Sequence, residues 1–146
     1  MLFDTHCHLN LIREKDKNLG DIIQNAVQSK VHSIIDISVG IDDFIIRKVI
    51  SDKLTKSYPI SIFLTAGLPP YFAERREIGD IETVKNQSKS SKKIVAIGEI
   101  GLDYYHDYGT RESQIKLFID QIDLANQLNL PIIIHTRNSD SDLIAT

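Results

Sequence analysis

The sequence contains one cysteine, one methionine and no tryptophan, and its apolar runs are all short. The single cysteine, Cys7, cannot form a disulfide within the chain, which excludes a disulfide-stapled secreted scaffold and favours a cytoplasmic protein. A membrane-spanning helix needs about 20 consecutive apolar residues, so none is predicted and no membrane partner is expected. Residues 1–4 also lack the charged and apolar regions of a signal peptide.

Positive charge is scarce as well. The chain has 17 Lys and Arg against 20 Asp and Glu, for a net charge of −3, whereas proteins that bind nucleic acid through a broad surface are usually basic. If nucleic acid is the substrate, bound metal must therefore supply part of the attraction. With 146 residues, 42% hydrophobic and 25% charged, the composition is typical of one globular domain.

Short runs rich in isoleucine, valine and leucine alternate with amphipathic stretches, which is typical of an α/β fold with a parallel sheet. Continuous apolar runs of this kind are expected for strands buried on both faces. The predicted strands are residues 2–8, 31–39, 60–67, 94–100 and 132–135. Their starts lie 29, 29, 34 and 38 residues apart, which fits repeated strand–helix units.

The segments between the strands are predicted to be helical. Before the fifth strand, apolar residues recur with the spacing of one helix face, at positions 115, 118, 119, 122, 125 and 128. Thr110 is the predicted N-cap of this helix, and Pro131 is predicted to stop it. A weaker helix at residues 78–84 is expected to fray into polar residues 86–93, which we interpret as a solvated turn rather than a nucleic-acid-binding patch.

Two architectures fit this arrangement. One is a TIM-type (β/α) barrel, in which this chain would supply about five of the eight strand–helix units, because a whole barrel takes about 250 residues. The other is an open, doubly wound five-stranded sheet, which fits the length without truncation. The positions of the polar residues discriminate between the two.

Three predicted strands carry polar residues at or near their carboxyl ends. His6 and His8 are separated by one residue and project from the same side of the first strand, because strand side chains alternate. Glu99 lies at the end of the fourth strand, where a buried charge is costly unless it is compensated, and His135 ends the fifth. Each has an ordinary structural alternative: surface histidines, a salt-bridged glutamate and a hydrogen-bonded core histidine.

The shared position of these residues favours the barrel. Barrel enzymes build their active sites at the carboxyl ends of the strands, whereas the first, fourth and fifth strands of an open sheet with a reversed strand order would not converge on one point. Imidazole nitrogens and carboxylate oxygens bind divalent metals, and one carboxylate can bridge two ions. The sequence therefore predicts a metal site at this end of the barrel.

The chain resembles TatD-type deoxyribonucleases in three segments that match in order and spacing: DTHCHLN at 4–10, GEIGLDYY at 98–105 and LPIIIHTR at 130–137. The helix at residues 114–128, with its Q-x3-F-x6-A pattern, is also similar. The likeness spans the whole chain. It implies that residues 1–146 form the N-terminal part of a single TIM-type barrel domain of the metal-dependent hydrolase superfamily, with DNA as the substrate.

The resemblance implies four metal ligands: His6, His8, Glu99 and His135. Glu99 matches the carboxylate shared between two metals and is the expected catalytic residue. The implied reaction is hydrolysis with two divalent ions (Zn, Mn or Mg) about 3.5–4 Å apart, which activate a water molecule. Asp103 and Arg137 are expected to organise the site or contact a phosphate, and His106 is expected to contact substrate. His32, at the opposite end of the second strand, is interpreted as a surface residue.

Two departures from the family pattern qualify these expectations. After the third strand the family carries G-x-H-P-H, whereas this chain has Pro69 and Tyr71 at the histidine places, so its phosphate handling or substrate range is expected to differ. The family also has a further metal-binding histidine and an aspartate, and this aspartate is the expected general base. Both lie beyond Thr146. The 146 residues alone are therefore expected to be inactive and to self-associate through open sheet edges.

Two other functions remain open. A metal cage of this kind also fits a deacylase or amidohydrolase that acts on aminoacyl-tRNA or a small molecule, because the ligands do not distinguish phosphorus from carbonyl substrates. The remaining alternative is a non-catalytic fragment that lacks part of the metal site.

Overall fold

The computed structural model describes residues 2–15 and 18–146. Within them, five strands form one parallel sheet in sequential order: β1 (Leu2–Cys7), β2 (Val31–Asp36), β3 (Ser61–Ala66), β4 (Ile94–Asp103) and β5 (Ile132–Arg137). A doubly wound sheet reverses its strand order at one point, and no reversal occurs here. The curled sheet is therefore half of a TIM-type barrel, which confirms the predicted fold.

Helices follow the strands and bury their apolar faces against the sheet. They are α1 (Leu9–Glu14), α2 (Leu19–Gln28), α3 (Phe44–Ser57), α4 (Asp80–Lys89), α5 (Arg111–Leu128) and α6 (Asp140–Ala145), with a short 3-10 helix at Pro70–Phe72. The core joins strand side chains such as Leu64 and Ile97 to helix side chains such as Leu117 and Phe118. Along the described chain, no helix combines the length and apolar character needed to cross a bilayer.

The bounds of α5 follow from its two caps. The Thr110 hydroxyl accepts a hydrogen bond from the backbone N–H of Ser113 at 3.1 Å, as its prediction as N-cap requires. The helix ends at Leu128, three residues before Pro131, because Asn129 adopts a left-handed conformation (φ 52°). The helix thus ends before Pro131, as predicted, and Asn129 is the residue that caps it.

The interpretation of residues 86–93 as a solvated turn was partly wrong, because α4 continues through the first half of that segment to Lys89. Val84 and Ser88 lie one helical turn apart on its buried side, and the Ser88 hydroxyl donates to the Val84 carbonyl at 2.7 Å. A serine satisfied in this way can sit on the core face of a helix. In contrast, Ile78, expected to be part of the helix, lies before it and is exposed.

One strand ends earlier than predicted and two end later. β2 ends at Asp36 rather than at residue 39, because the backbone N–H of Ser38 donates to the Thr65 hydroxyl (2.9 Å) instead of to a neighbouring strand. β4 and β5 are longer than predicted and stay paired as far as Asp103 and Arg137. Glu99 therefore lies within β4 and not at its end.

A buried arginine ties β2 and β3 together below the loops at their carboxyl ends. Arg47 of α3 is 1% exposed, and its guanidinium donates to the carbonyls of Asp36 (3.1 Å) and Thr65 (2.9 Å). Its charge is balanced by Asp43, one turn earlier, with Nε 2.8 Å from Oδ2. Because these bonds satisfy carbonyls that end two strands, Arg47 fixes the spacing of those ends.

Candidate metal centre

Three of the four predicted metal ligands lie together at the carboxyl end of the half-barrel. His6, His8 and Glu99 each offer one ligand atom within 4.8 Å of the other two. His6 Nε2 lies 3.3 Å from Glu99 Oε2, and the His6 and His8 rings meet edge to face with centroids 5.1 Å apart. The two histidines thus face the same side of β1, and the parallel sheet brings them to a residue from three strands further along the chain.

The fourth predicted ligand, His135, lies on the other side of Glu99. Its Nδ1 is 3.8 Å from Glu99 Oε1, the oxygen that does not face His6. Glu99 therefore stands between two histidines, with one carboxylate oxygen turned toward each. Its side chain is 15% exposed, so the carboxylate is largely withdrawn from solvent.

The local backbone explains how Glu99 reaches this position. Between β4 and β5 the register shifts at Glu99: Gly98 pairs with Ile133 and Ile100 with Ile134. A shift of this kind re-aims the residue that it leaves unpaired. A side chain at Gly98 would place its Cβ 2.8 Å from that of Ile133, so only glycine allows β4 and β5 to approach this closely.

The ring of His8 is held through one of its two nitrogens. His8 Nδ1 donates to the carbonyl of Ile37 at 3.2 Å, which leaves Nε2 with a free lone pair. The turn after His8 is fixed in its own right, because the backbone N–H of Leu9 donates to the Asp36 carboxylate at 2.8 Å. A histidine whose second nitrogen is bonded to a carbonyl is typical of a metal ligand.

Asp103 connects His135 with His106. It is 1% exposed, and its Oδ2 lies 3.1 Å from His135 Nε2 and 2.9 Å from His106 Nδ1. Its Oδ1 accepts from the backbone N–H groups of Tyr105 and His106. Of the two roles expected for Asp103, this geometry favours organising the site, because both oxygens are already engaged inside the protein.

These bonds also set the protonation of Asp103. Burial by itself would raise the pKa of the carboxyl, but the hydrogen bonds from the ring and backbone of His106, from His135 and from the Tyr105 backbone outweigh it and hold the pKa below its ordinary value. Asp103 is therefore a carboxylate, able only to accept, at neutral pH.

Two buried glutamines of α5, which sequence reasoning missed, fix the loops around the centre. Gln114 forms two hydrogen bonds with the Asp103 backbone, at 2.8 and 3.0 Å, and Gln121 forms two with the Leu68 backbone, at 2.7 and 2.9 Å. Polar residues seven positions apart, on the same face as Leu117 and Phe118, were the available signal.

Asp36 was also missed, and nothing in its local sequence identifies it. It is fully buried, and its Oδ2 has no hydrogen-bond partner among the described residues. Burial raises the pKa of Asp36 to about 6, although the N–H of Leu9 and the Arg47 guanidinium act in the opposite direction. Asp36 thus supports the His8 turn at the cost of a desolvated carboxyl.

This shift predicts a pH dependence of stability. Because the pKa of Asp36 is raised on folding, the protonated form is favoured in the folded chain, and stability is lost as the pH rises from about 4 through 6. The variant Asp36→Asn keeps the acceptor for Leu9. Relative to this variant, the free energy of unfolding of the wild type should fall by about 2 kcal/mol between about pH 4 and pH 7. Urea unfolding of both chains at the two pH values measures this difference, and a difference independent of pH would contradict the prediction.

The segment after β3 places a tyrosine where the family pattern has a histidine. The Tyr71 hydroxyl donates to the carbonyl of Val39, and its ring contacts Phe72 and Tyr108. Burial raises the pKa of Tyr71 to about 12, with a further contribution from the charge of Asp43. Tyr71 is therefore a neutral, fixed ring at this place.

The other predicted site residues lie around the centre or away from it. His106 is 39% exposed beside Asp103, and the guanidinium of Arg137 lies 3.8 Å above the Tyr105 ring centroid. His32 is exposed near the start of β2, at the opposite end of the sheet. The roles of His106 and Arg137 toward substrate stay predictions.

Comparison with known proteins adds a family relationship. The family model described as TatD related DNase matches residues 3–146. The chain is 38% identical over 144 residues to "Uncharacterized metal-dependent hydrolase YabD" of Bacillus subtilis, covering 99% of this chain and 54% of that protein. It is 29% identical to the human protein named Deoxyribonuclease TATDN3, covering 94% of this chain and 53% of that one. The chain spans about half the length of these curated relatives.

Solved structures give the same relationship. The crystal structure of YJJV, a TatD homolog from Escherichia coli, superposes with a TM-score of 0.79 at 28% identity and covers 99% of this chain and 54% of that one. A hydrolase TatD family protein from Entamoeba histolytica gives 0.78 at 29% identity, covering 87% and 44%. The half-barrel therefore corresponds to about half of each of these folds.

Proposed function

The chain belongs to the TatD family, and on that premise we propose that the cluster of His6, His8, Glu99 and His135 is a two-metal centre for the hydrolysis of phosphodiester bonds in DNA. The observation that carries this proposal is the position of Glu99, with one oxygen toward His6 and the other toward His135. A carboxylate between two sets of nitrogen donors suits a shared ligand.

The donor set fits divalent ions. His6 and His8 would hold one ion with Glu99, and His135 would hold the second with the other oxygen of Glu99. Zn and Mn suit these nitrogen and oxygen donors, and Mg suits them less well. The bound ions would supply an activated water and stabilise charge on the phosphate. The residues of this chain orient the donors: the Ile37 carbonyl holds His8 and Asp103 holds His135.

A pair of histidines provides a matched test of the metal centre. His6→Ala removes a nitrogen that faces Glu99. Loss of a supporting contact typically lowers metal affinity by about 10–100-fold, and the affinity of this variant for Mn or Zn should fall by more than that. His32→Ala removes an exposed histidine at the opposite end and should bind metal like the wild type. Calorimetric titration measures both. Equal affinities for the two variants would contradict the proposed centre.

DNA is proposed as the substrate because a similar human protein is named a deoxyribonuclease. A panel of single-stranded DNA, RNA and aminoacyl-tRNA, assayed with and without added metal, tests this choice. Metal-dependent release of the amino acid, with no cleavage of either nucleic acid, would instead identify a deacylase. Because the chain spans about half of its relatives, we propose that residues 1–146 hold only part of the site and turn over slowly.

A further inference from the structure

Four aromatic side chains form a continuous row beside the metal cluster. Tyr108 stacks on His106 with centroids 4.9 Å apart and planes 25° apart, and it meets Tyr71 edge to face at 5.8 Å. His106 also meets Tyr105 edge to face at 4.9 Å. We call Tyr71, Tyr108, His106 and Tyr105 the aromatic row. Tyr105 is 60% exposed and the other three are half-buried, so the row presents ring surface to solvent.

His106 links the row to the proposed metal ligands. His106 and His135 share the same oxygen of Asp103, at 2.9 and 3.1 Å, and His135 faces Glu99. If a polymer binds with its reacting bond at Glu99, the rings of the row therefore lie directly beside that bond.

Two guanidinium groups lie against the ends of the row. Arg75 is 5.4 Å from the Tyr71 ring centroid, and Arg137 is 3.8 Å from that of Tyr105. Neither forms an ion pair with any residue in 2–15 or 18–146, whereas Arg76, the neighbour of Arg75, is paired with Asp120 at 2.6 Å. Arg75 and Arg137 thus keep their charge available to a ligand.

A cleft of about 220 Å³ opens beside Tyr71 and Tyr108 and is lined by Glu74, Arg75 and Asp107 as well. The cleft is lined by one cation and two carboxylates, so its interior carries mixed charge. Its ring surface and mixed charge suit an uncharged planar heterocycle. The anionic groups of such a ligand would contact the arginines at the ends of the aromatic row.

We propose that the aromatic row stacks unpaired nucleobases of a single-stranded polynucleotide and that Arg75 and Arg137 hold the flanking phosphates. The inference rests on the proposed function, because it places these bases next to the bond cut at Glu99. Every base has a π face, so stacking tolerates all sequences. A duplex keeps its bases stacked inside the helix, so the row selects an unpaired strand.

Binding of two labelled strands to the whole 146-residue chain tests the proposal. One strand is oligothymidylate, and the other has the same phosphates but abasic sugars. EDTA is present to prevent hydrolysis. The wild type should bind the base-bearing strand about tenfold more tightly. Tyr108→Leu should remove most of this preference, and Tyr108→Phe, which retains the ring, should restore it. Equal binding of both strands by the wild type overturns the proposal, and so does a preference that Tyr108→Leu leaves intact.

Tyrosine fluorescence gives a measurement that needs no variant, because the chain has no tryptophan to mask it. Oligothymidylate should quench this emission and the abasic strand should not. If saturating oligothymidylate leaves the emission unchanged, the row does not stack bases, whether or not Tyr108→Leu folds.

The two neighbouring arginines separate the phosphate contact from the general charge. Arg75→Gln should make binding of oligothymidylate less dependent on salt by about one phosphate contact, and Arg76→Gln should not. The same salt dependence in both variants overturns the role of Arg75. The proposed function can fail while the stacking proposal holds. If the chain prefers the base-bearing strand but neither binds metal nor cleaves DNA, the result supports base stacking by the row and rejects the metal centre.

Discussion

Glu99→Gln is expected to abolish binding of two metal ions. Glutamine keeps the shape of the side chain, but it replaces one carboxylate oxygen with an NH2 group that cannot bind a cation. Because the two oxygens of Glu99 face His6 and His135 separately, the change removes a donor from one ion and the negative charge from both. The metal affinity should fall by more than the roughly 10–100-fold that is typical when a supporting contact is removed.

Metal analysis of the purified chain and calorimetric titration with Mn both measure this loss. Glu112→Gln is the matched control, since Glu112 is an exposed glutamate in the first turn of α5. It has the same charge change and should bind metal like the wild type. Two tightly held ions in the Glu99→Gln chain would reject the shared role of this carboxylate.

Asp103→Asn is expected to weaken metal binding at His135 by about 10–100-fold with little effect on the fold. Asp103 accepts a hydrogen bond from His135 Nε2, so the proton of the neutral ring lies there and Nδ1, which faces Glu99, keeps a free lone pair. An asparagine oxygen in place of Oδ1 retains the bonds from the backbone of Tyr105 and His106. Its NH2 group, in contrast, requires an acceptor and would move the histidine proton to Nδ1.

The tautomer itself is the readout that distinguishes positioning from general destabilisation. Nitrogen NMR should show the proton of His135 on Nε2 in the wild type and on Nδ1 in Asp103→Asn. Asp107→Asn changes an exposed carboxylate of the same loop and should alter neither the tautomer nor the metal affinity. An unchanged tautomer in Asp103→Asn, or metal loss that merely follows the fall in thermal stability, would contradict the positioning role.

The approach of His6, His8 and Glu99 to one another was predictable because it depends on a general property of parallel sheets. The carboxyl ends of all strands of a parallel sheet lie at one edge, and the sheet curls, so His6 of β1 and Glu99 of β4 come together although two strands lie between them. The apolar runs located all five strands to within a few residues, and the histidine spacing in β1 oriented His6 and His8.

Other features depend on contacts that no local pattern reveals. The burial of Asp36, its bond to Leu9 and the bonds of Arg47 join segments from α1, β2, β3 and α3. The extension of α4 to Lys89 likewise depends on the burial of Ser88 by the rest of the fold. Local propensity alone therefore placed this serine in a turn.

The sequence by itself determined the α/β class, the order of the strands and the approach of His6, His8 and Glu99 to one another, because strand periodicity and apolar runs are properties of short segments. Only the tertiary structure decided which oxygen of Glu99 faces which histidine, that Asp103 holds His135 and His106 together, and that Tyr71 and Tyr108 continue the row beyond His106. These are contacts between side chains from different strands and loops. Their distances depend on the register of β4 against β5 and on the packing of α5, which act over the whole sheet.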